Sequence, residues 1–151
     1  MKAILAVDPY GGIGKNGGLP WDSLDGDLSR FKELTLGCTI IMGRKTWDSL
    51  PFKPLPHRKS IVVSSNQFDA VDGVQVVSDI NHVLHIPDSW CIGGAHLISQ
   101  CWENITEFHL TLADDIHECD TYLDLTPLRA QFARTHQYQF ENNTYEIWVR
   151  I

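Results

Sequence analysis

The chain has 151 residues, of which 43% are hydrophobic and 21% charged, a length and balance suited to one globular domain around a single core. Its formal net charge of −7 excludes binding to nucleic acid through a broad basic face. The opening apolar run stops at Asp8, too short for a secretory signal or a membrane span, so the expectation is a cytoplasmic chain whose cysteines Cys38, Cys91, Cys101 and Cys119 are reduced thiols.

Ala3 to Val7 is apolar throughout and reads as a buried strand. Gly11 to Pro20 carries five glycines and is expected to be a mobile loop without regular structure. Leu24, Leu28, Phe31 and Leu34 recur at helical spacing and predict a helix over 25–34, with Asp27 beside its apolar face. Cys38 to Met42 predicts a second buried strand, and Arg44 to Leu50 a short helix closed by Pro51. Strands follow over 60–63 and 74–77. Asp79 is placed to cap a helix over 80–85. A strand over 90–92 leads through Gly93-Gly94 into a helix ending at Gln100, and another strand covers 108–112. Segments 131–139 and 144–151 alternate around Glu141-Asn142-Asn143, the pattern of an antiparallel hairpin. Apolar strands joined by helical crossovers imply a parallel core covered on both faces. The class is α/β with a mixed sheet, the terminal hairpin adding antiparallel strands at one edge.

Gly12-Ile13-Gly14-Lys15-Asn16-Gly17 matches the dinucleotide fingerprint and follows a strand. That fingerprint needs a helix directly after it to meet the pyrophosphate. Gly18-Leu19-Pro20-Trp21 breaks any such helix, so a flexible lid is the better reading. Asp27 on an apolar face suggests a carboxylate turned toward a ligand pocket, against the plainer reading of an acid at a helix start. Gly43-Arg44-Lys45-Thr46 puts two cations and a hydroxyl at a strand-to-helix turn, an anion site or simply a solvated helix start. Ile92-Gly93-Gly94-Ala95 allows a ligand close to the backbone, or is only a tight turn. The histidines show no metal-ligand spacing, and no metal is expected. His57, His82, His85, His109, His117 and His136 are expected in loops or on the surface. His96 is the one beside a candidate site.

In their order along the chain, these features resemble the dihydrofolate reductase family over nearly the full length. The resemblance rests on Leu5-Ala6-Val7-Asp8, Ile13-Gly14, Leu19-Pro20-Trp21, Asp27-Leu28, Phe31-Lys32, Ile41-Met42-Gly43-Arg44-Lys45-Thr46-Trp47 and Ser49-Leu50-Pro51. It continues through Pro54-Leu55-Pro56, Arg58-Lys59, Ser64-Ser65, Ile92-Gly93-Gly94-Ala95 and Leu110-Thr111. It implies one reductase domain over 1–151, with a central eight-stranded, mainly parallel mixed sheet, a C-terminal antiparallel hairpin and about four flanking helices. The implied activity is NADPH-dependent reduction of 7,8-dihydrofolate at C6 and N5, giving tetrahydrofolate for one-carbon and thymidylate metabolism. The implied partners are dihydrofolate and antifolates, with no nucleic acid, no membrane and a monomeric state.

The resemblance also implies residue roles. Asp27, supported by Thr111, would hold the pterin, with Trp21 and Leu19 as lid residues over the reacting centre. Ile4, Leu28, Phe31, Leu50 and Ile92 would wall the substrate pocket, and Arg58 would pair with the substrate's glutamate tail. Ala6, Ile13, Gly14, Gly43, Arg44, Lys45, Thr46, Ser64, Ser65, Gly93, Gly94, Ala95 and His96 would bind NADPH. Three departures stand out. Ser23 is one residue more than compact bacterial members carry before the helix. Ile98 stands where many members have Tyr. His96 replaces a frequent Arg, which makes part of the cofactor pairing pH-dependent. The alternatives are a related NADPH-dependent pyrimidine reductase of the riboflavin-pathway type, and a non-catalytic binding or assembly protein that kept the fold.

Overall fold

The computed structural model describes residues 1–69 and 71–151. Ten strands form in chain order: β1 Lys2–Val7, β2 Gly12–Gly14, β3 Thr39–Gly43, β4 Lys59–Val63, β5 Val74–Val77, β6 Ser89–Cys91, β7 Glu107–Ala113, β8 Thr121–Tyr122, β9 Phe132–Gln139 and β10 Asn143–Arg150. Four α-helices accompany them: α1 Asp27–Thr35, α2 Arg44–Ser49, α3 Ala95–Cys101 and α4 Thr126–Gln131. Eight strands make one sheet in the order β5-β4-β3-β6-β1-β7-β10-β9. The run from β5 to β7 is parallel, and β10 pairs antiparallel with both β7 and β9. The α/β class, the mixed sheet and the terminal hairpin are as the sequence implies.

Strand alternation divides the core into two layers. Ala3, Val7, Ile41, Ile61, Cys91, Phe108 and Leu110 point to one face and meet Leu97, Ile98 and Cys101 of α3 and Leu128 of α4. Ile4, Ile40, Met42, Val62, Trp90 and Ile92 point to the other and meet Trp47 of α2, with Phe31 and Leu34 of α1 packed alongside. Because β1, β3, β4 and β6 are apolar on both faces, they occupy the middle of the parallel sheet. All four cysteines are free thiols. Among the described residues no helix is long and apolar enough to cross a membrane.

Four local expectations need correction. The glycine loop is not free of regular structure: β2 pairs antiparallel with β8, and Lys15 and Gly18 form a further bridge. As expected of a lid, no helix follows it until α1. That helix starts at Asp27 rather than 25, since Gly26 takes a left-handed φ of 77°. Leu28 then falls outside the buried stripe and is 69% exposed. The helix over 80–85 shrinks to a single 3-10 turn, Ile80–His82, although Asp79 does accept the Asn81 N–H as expected. Ile80, Val83 and Ile86 pack on the core at a spacing of three, the repeat of the tighter helix. Directly before the expected strand β9, in a segment to which the sequence reading gave no element, the fourth α-helix is instead α4. Its start carries Pro127 in the first turn, and Asp124 Oδ1 accepts the Thr126 N–H at 2.9 Å.

Candidate active site

α1 and β7 build the centre of the site. Asp27 and Arg30 are one helical turn apart on the side of α1 facing the sheet, and Thr111 points at them from β7. Thr111 Oγ1 donates to Asp27 Oδ1 at 2.7 Å. Arg30 Nη2 donates to Thr111 Oγ1 at 3.1 Å and lies 3.7 Å from Asp27 Oδ1. A hydroxyl has one proton, so a threonine oxygen that accepts from Arg30 must direct its own hydrogen to Asp27. The guanidinium is covered by the Tyr145 ring at 4.1 Å and the Phe140 ring at 4.9 Å. Sequence reading picked out Asp27 and Thr111 but missed Arg30, Phe140 and Tyr145. The Asp27/Arg30 spacing was visible; the aromatic cover comes from the far end of the chain.

A polar chain continues behind this centre on the same face. Tyr145 Oη is 2.5 Å from His109 Nδ1, and His109 Nε2 is 2.6 Å from Glu107 Oε1. His109 is therefore buried in the middle of β7, against the expectation of a loop or surface residue. Its neighbours in sequence, Phe108 and Leu110, fill the opposite layer and force it inward. Burial lowers the His109 pKa below the usual histidine value, with Glu107 opposing. Burial likewise pushes the Tyr145 phenol up to about 12, with Arg30 opposing.

The residues expected to wall the pocket lie mostly in or against the second core layer. Ile4 and Ile92 are buried in the second layer, with Phe31 and Leu50 half-buried against it. Arg58 donates Nη1 to Thr35 Oγ1 at 3.2 Å and Nε to the Pro56 carbonyl at 3.0 Å, with its guanidinium 5.9 Å from the Phe31 ring. Burial moves its pKa below the usual guanidinium value. Trp21 is buried with Leu24, Ala113 and Ala6, its ring edge-on to His117. Leu19, in contrast, is exposed just past the Lys15–Gly18 bridge, as Leu28 is on α1.

The lid is anchored at its start and at its middle. Asp8, 1% exposed, accepts N–H groups from Gly12 at 2.8 Å, Tyr10 at 2.9 Å and His117 at 3.1 Å. Asp120 Oδ2 accepts the Asn16 N–H, and the Asp120 N–H donates to the Gly14 carbonyl. Ile13 packs half-buried on the first core layer and Gly14 lies in β2. Asp8 entered the sequence reading only as the end of a strand motif and Asp120 not at all, because their anchoring partners are backbone groups.

At the strand-to-helix turns after β3 and β6, glycines meet at close range. The Gly43 N–H donates to the Gly93 carbonyl at 2.9 Å, and side chains built on Gly93 or Gly94 would lie 3.6 and 3.7 Å from Thr46 Oγ1. Gly93 has a φ of 118°, a value that favours glycine. Ala95 opens α3 half-buried, and His96 is exposed beside it. Arg44 is exposed but ordered by Asp48 at 3.0 Å and by the Phe68 ring at 4.0 Å; Lys45 is exposed. The Ser64 hydroxyl is committed to its own turn through Asn66, whereas Ser65 is exposed. A glycine turn flanked by cations and hydroxyls fits a phosphorylated dinucleotide.

Comparisons with known proteins find relatives over most of the chain. A type 8 dihydrofolate reductase of Escherichia coli is 34% identical over 96% of this chain and 92% of its own length. Dihydrofolate reductases of Mycobacterium tuberculosis and Bacillus subtilis are 40% and 41% identical over 74% of this chain, and over 70% and 67% of their own lengths. A solved Enterococcus faecalis dihydrofolate reductase, complexed with NADP(H) and RAB-propyl, superposes with a TM-score of 0.85 at 29% identity, over 99% of this chain and 95% of that one. The dihydrofolate reductase family model matches residues 1–150, and with it the chain is placed in the dihydrofolate reductase family.

Proposed function

We propose that Asp27, held by Thr111, grips the pterin while this chain, an NADPH-dependent dihydrofolate reductase, reduces 7,8-dihydrofolate to tetrahydrofolate. The carrying observation is the partly buried Asp27 carboxylate with its Thr111 contact at 2.7 Å. That contact uses one lone pair of one oxygen and leaves the rest of the carboxylate to accept from N3 and the 2-amino group of the ring. Two such bonds to a carboxylate are strong and fix the ring in plane.

When bound, NADPH supplies the hydride. Arg44, Lys45, Thr46 and Ser65 would hold its phosphates, with Ser64 ordering that turn. Gly43, Gly93 and Gly94 would allow close approach, and Ala6, Ile13, Gly14, Ala95 and His96 would line the remainder. Ile4, Leu28, Phe31, Leu50 and Ile92 wall the pterin, and Arg58 takes the glutamate tail. Trp21 and Leu19 close over the reacting centre and exclude water during transfer. The proton for N5 arrives through a water admitted at the lid, while Asp27 holds the ring in place to receive it. The reaction takes place in one cytoplasmic, monomeric domain spanning 1–151, and antifolates occupy the same cleft. Purified protein should consume NADPH at 340 nm only with dihydrofolate present, and an antifolate should stop it. Consumption with a ribosylaminopyrimidine instead would favour the pyrimidine reductase, and a folded protein that consumes nothing would overturn the assignment.

A further inference from the structure

We infer that Arg30 is a specificity-determining residue that turns the pterin site toward neutral rings and away from rings that arrive protonated. The inference rests on the reading of Asp27 as the pterin anchor. Arg30 Nη2 lies 3.7 Å from Asp27 Oδ1, with only 12% of its side chain exposed. Its place is fixed on three sides: the bond to Thr111 Oγ1 and the rings of Tyr145 and Phe140. Tyr145 is in turn held through His109 and Glu107. Arginine stays charged at any working pH, so the cation is permanent.

A lone carboxylate attracts any ring that presents two N–H donors, and it attracts a cationic ring most. Here the ligand meets a carboxylate whose charge is already offset by a guanidinium at short range. Hydrogen bonding to a neutral ring survives this, because Asp27 keeps free lone pairs. The Coulombic bonus for a positively charged ring is largely cancelled, and that ring also meets Arg30 itself. Arg30 acts on the ligand through Asp27 and through its field, so it is a positioning residue. The same guanidinium fixes the Thr111 proton on Oδ1 and thereby selects which lone pairs are left.

The test uses two probes of one shape. 2-Amino-4-oxoquinazoline binds neutral, and 2,4-diaminoquinazoline, a stronger base, binds with a proton on its ring. Dissociation constants for both are measured by tryptophan fluorescence on the full chain as wild type, Arg30→Lys, Arg30→Gln, Arg30→Met and Asp27→Asn. Gln keeps a donor for Thr111 without the charge, and Met supplies a second neutral variant should Gln fail to fold. Loss of the charge should shift the affinity ratio toward the diamino ring by about tenfold or more, and Arg30→Lys should keep the wild-type ratio. Loosened packing would weaken both probes together and leave the ratio unmoved. An unchanged ratio in the neutral variants, or Lys behaving as Gln does, overturns the role of Arg30. Wild-type affinity for both probes in Asp27→Asn would show instead that Asp27 is not the anchor.

Discussion

The side chain of Asp120 accepts the backbone N–H of Asn16 at 2.8 Å, and the Asp120 N–H returns a bond to the Gly14 carbonyl at 2.9 Å. These contacts join the lid to the segment around β8. Because Lys15 also pairs with Glu118 at 2.6 Å, the lid turn is fastened at three consecutive residues. Asp120→Ala keeps the backbone bond and loses the carboxylate. The expected result is a fall in kcat of about fivefold with an unchanged fold, the scale of one hydrogen bond in a gating equilibrium. Pre-steady-state hydride transfer and circular dichroism check it; an unaltered transfer rate would detach this contact from closure.

Replacement of the proposed pterin anchor tests the chemistry directly. Asp27→Asn preserves size, and its amide can still meet Thr111. It removes the charge and half of the acceptor capacity. Turnover at neutral pH should fall by about 10²-fold or more, read as NADPH oxidation under saturating substrate.

Arg44 is held ready by Asp48 and Phe68, which suits a guanidinium that waits for a phosphate. Arg44→Gln should raise KM for NADPH by roughly tenfold, the scale of one charge-assisted contact, and should change KM for NADH far less. Equal changes for the two dinucleotides would remove Arg44 from recognition of the extra phosphate.

Arg58 leaves donor capacity beyond its bonds to Thr35 and Pro56. Arg58→Leu should raise KM for dihydrofolate by on the order of tenfold or more. It should leave a dihydropterin lacking the glutamate tail unaffected, a comparison steady-state kinetics makes in one experiment.

Two buried groups give the stability profile two acid-side steps. Burial raises the Asp8 pKa, but bonds from Gly12, His117, Tyr10 and Cys119 outweigh it, and the net value lies below 3.8. Its stabilisation is present above 3.8 and is lost as pH falls through the lower folded value. His109 is also depressed, below 6.5, so folding disfavours its proton. Stability therefore falls as pH drops from 6.5 toward the folded value. Urea midpoints across pH should lose the upper step in a His109→Phe, Tyr145→Phe double variant and keep the lower one. Asp8→Asn should cost about 1–3 kcal/mol near neutral pH, the scale of unsatisfied buried donors.

The middle of the sheet was legible because strands such as Ile40–Met42 are apolar on both faces, a signal that needs no tertiary information. Asp27 and Thr111 were legible only as parts of an ordered set of motifs. His109 was not, since burial of a single histidine depends on the alternation of Phe108 and Leu110 and on a phenol thirty-six positions away. Arg30 was hidden for the same reason. A cation on a helix looks solvated until Phe140 and Tyr145 arrive to cover it. The short β2–β8 pairing was masked by its glycines, which favour loops unless a partner strand supplies hydrogen bonds.

The last antiparallel strand has one more consequence. Tyr145 sits six residues before the end of the chain, yet it covers a group that stands thirty residues from the beginning. During synthesis the strands up to β7 can pair, but Arg30 stays open to water until β10 slots beside β7. The cover over Arg30 is thus complete only once β10 has been made and paired, and losing Phe140 and Tyr145 would strip a centre whose other members all lie upstream.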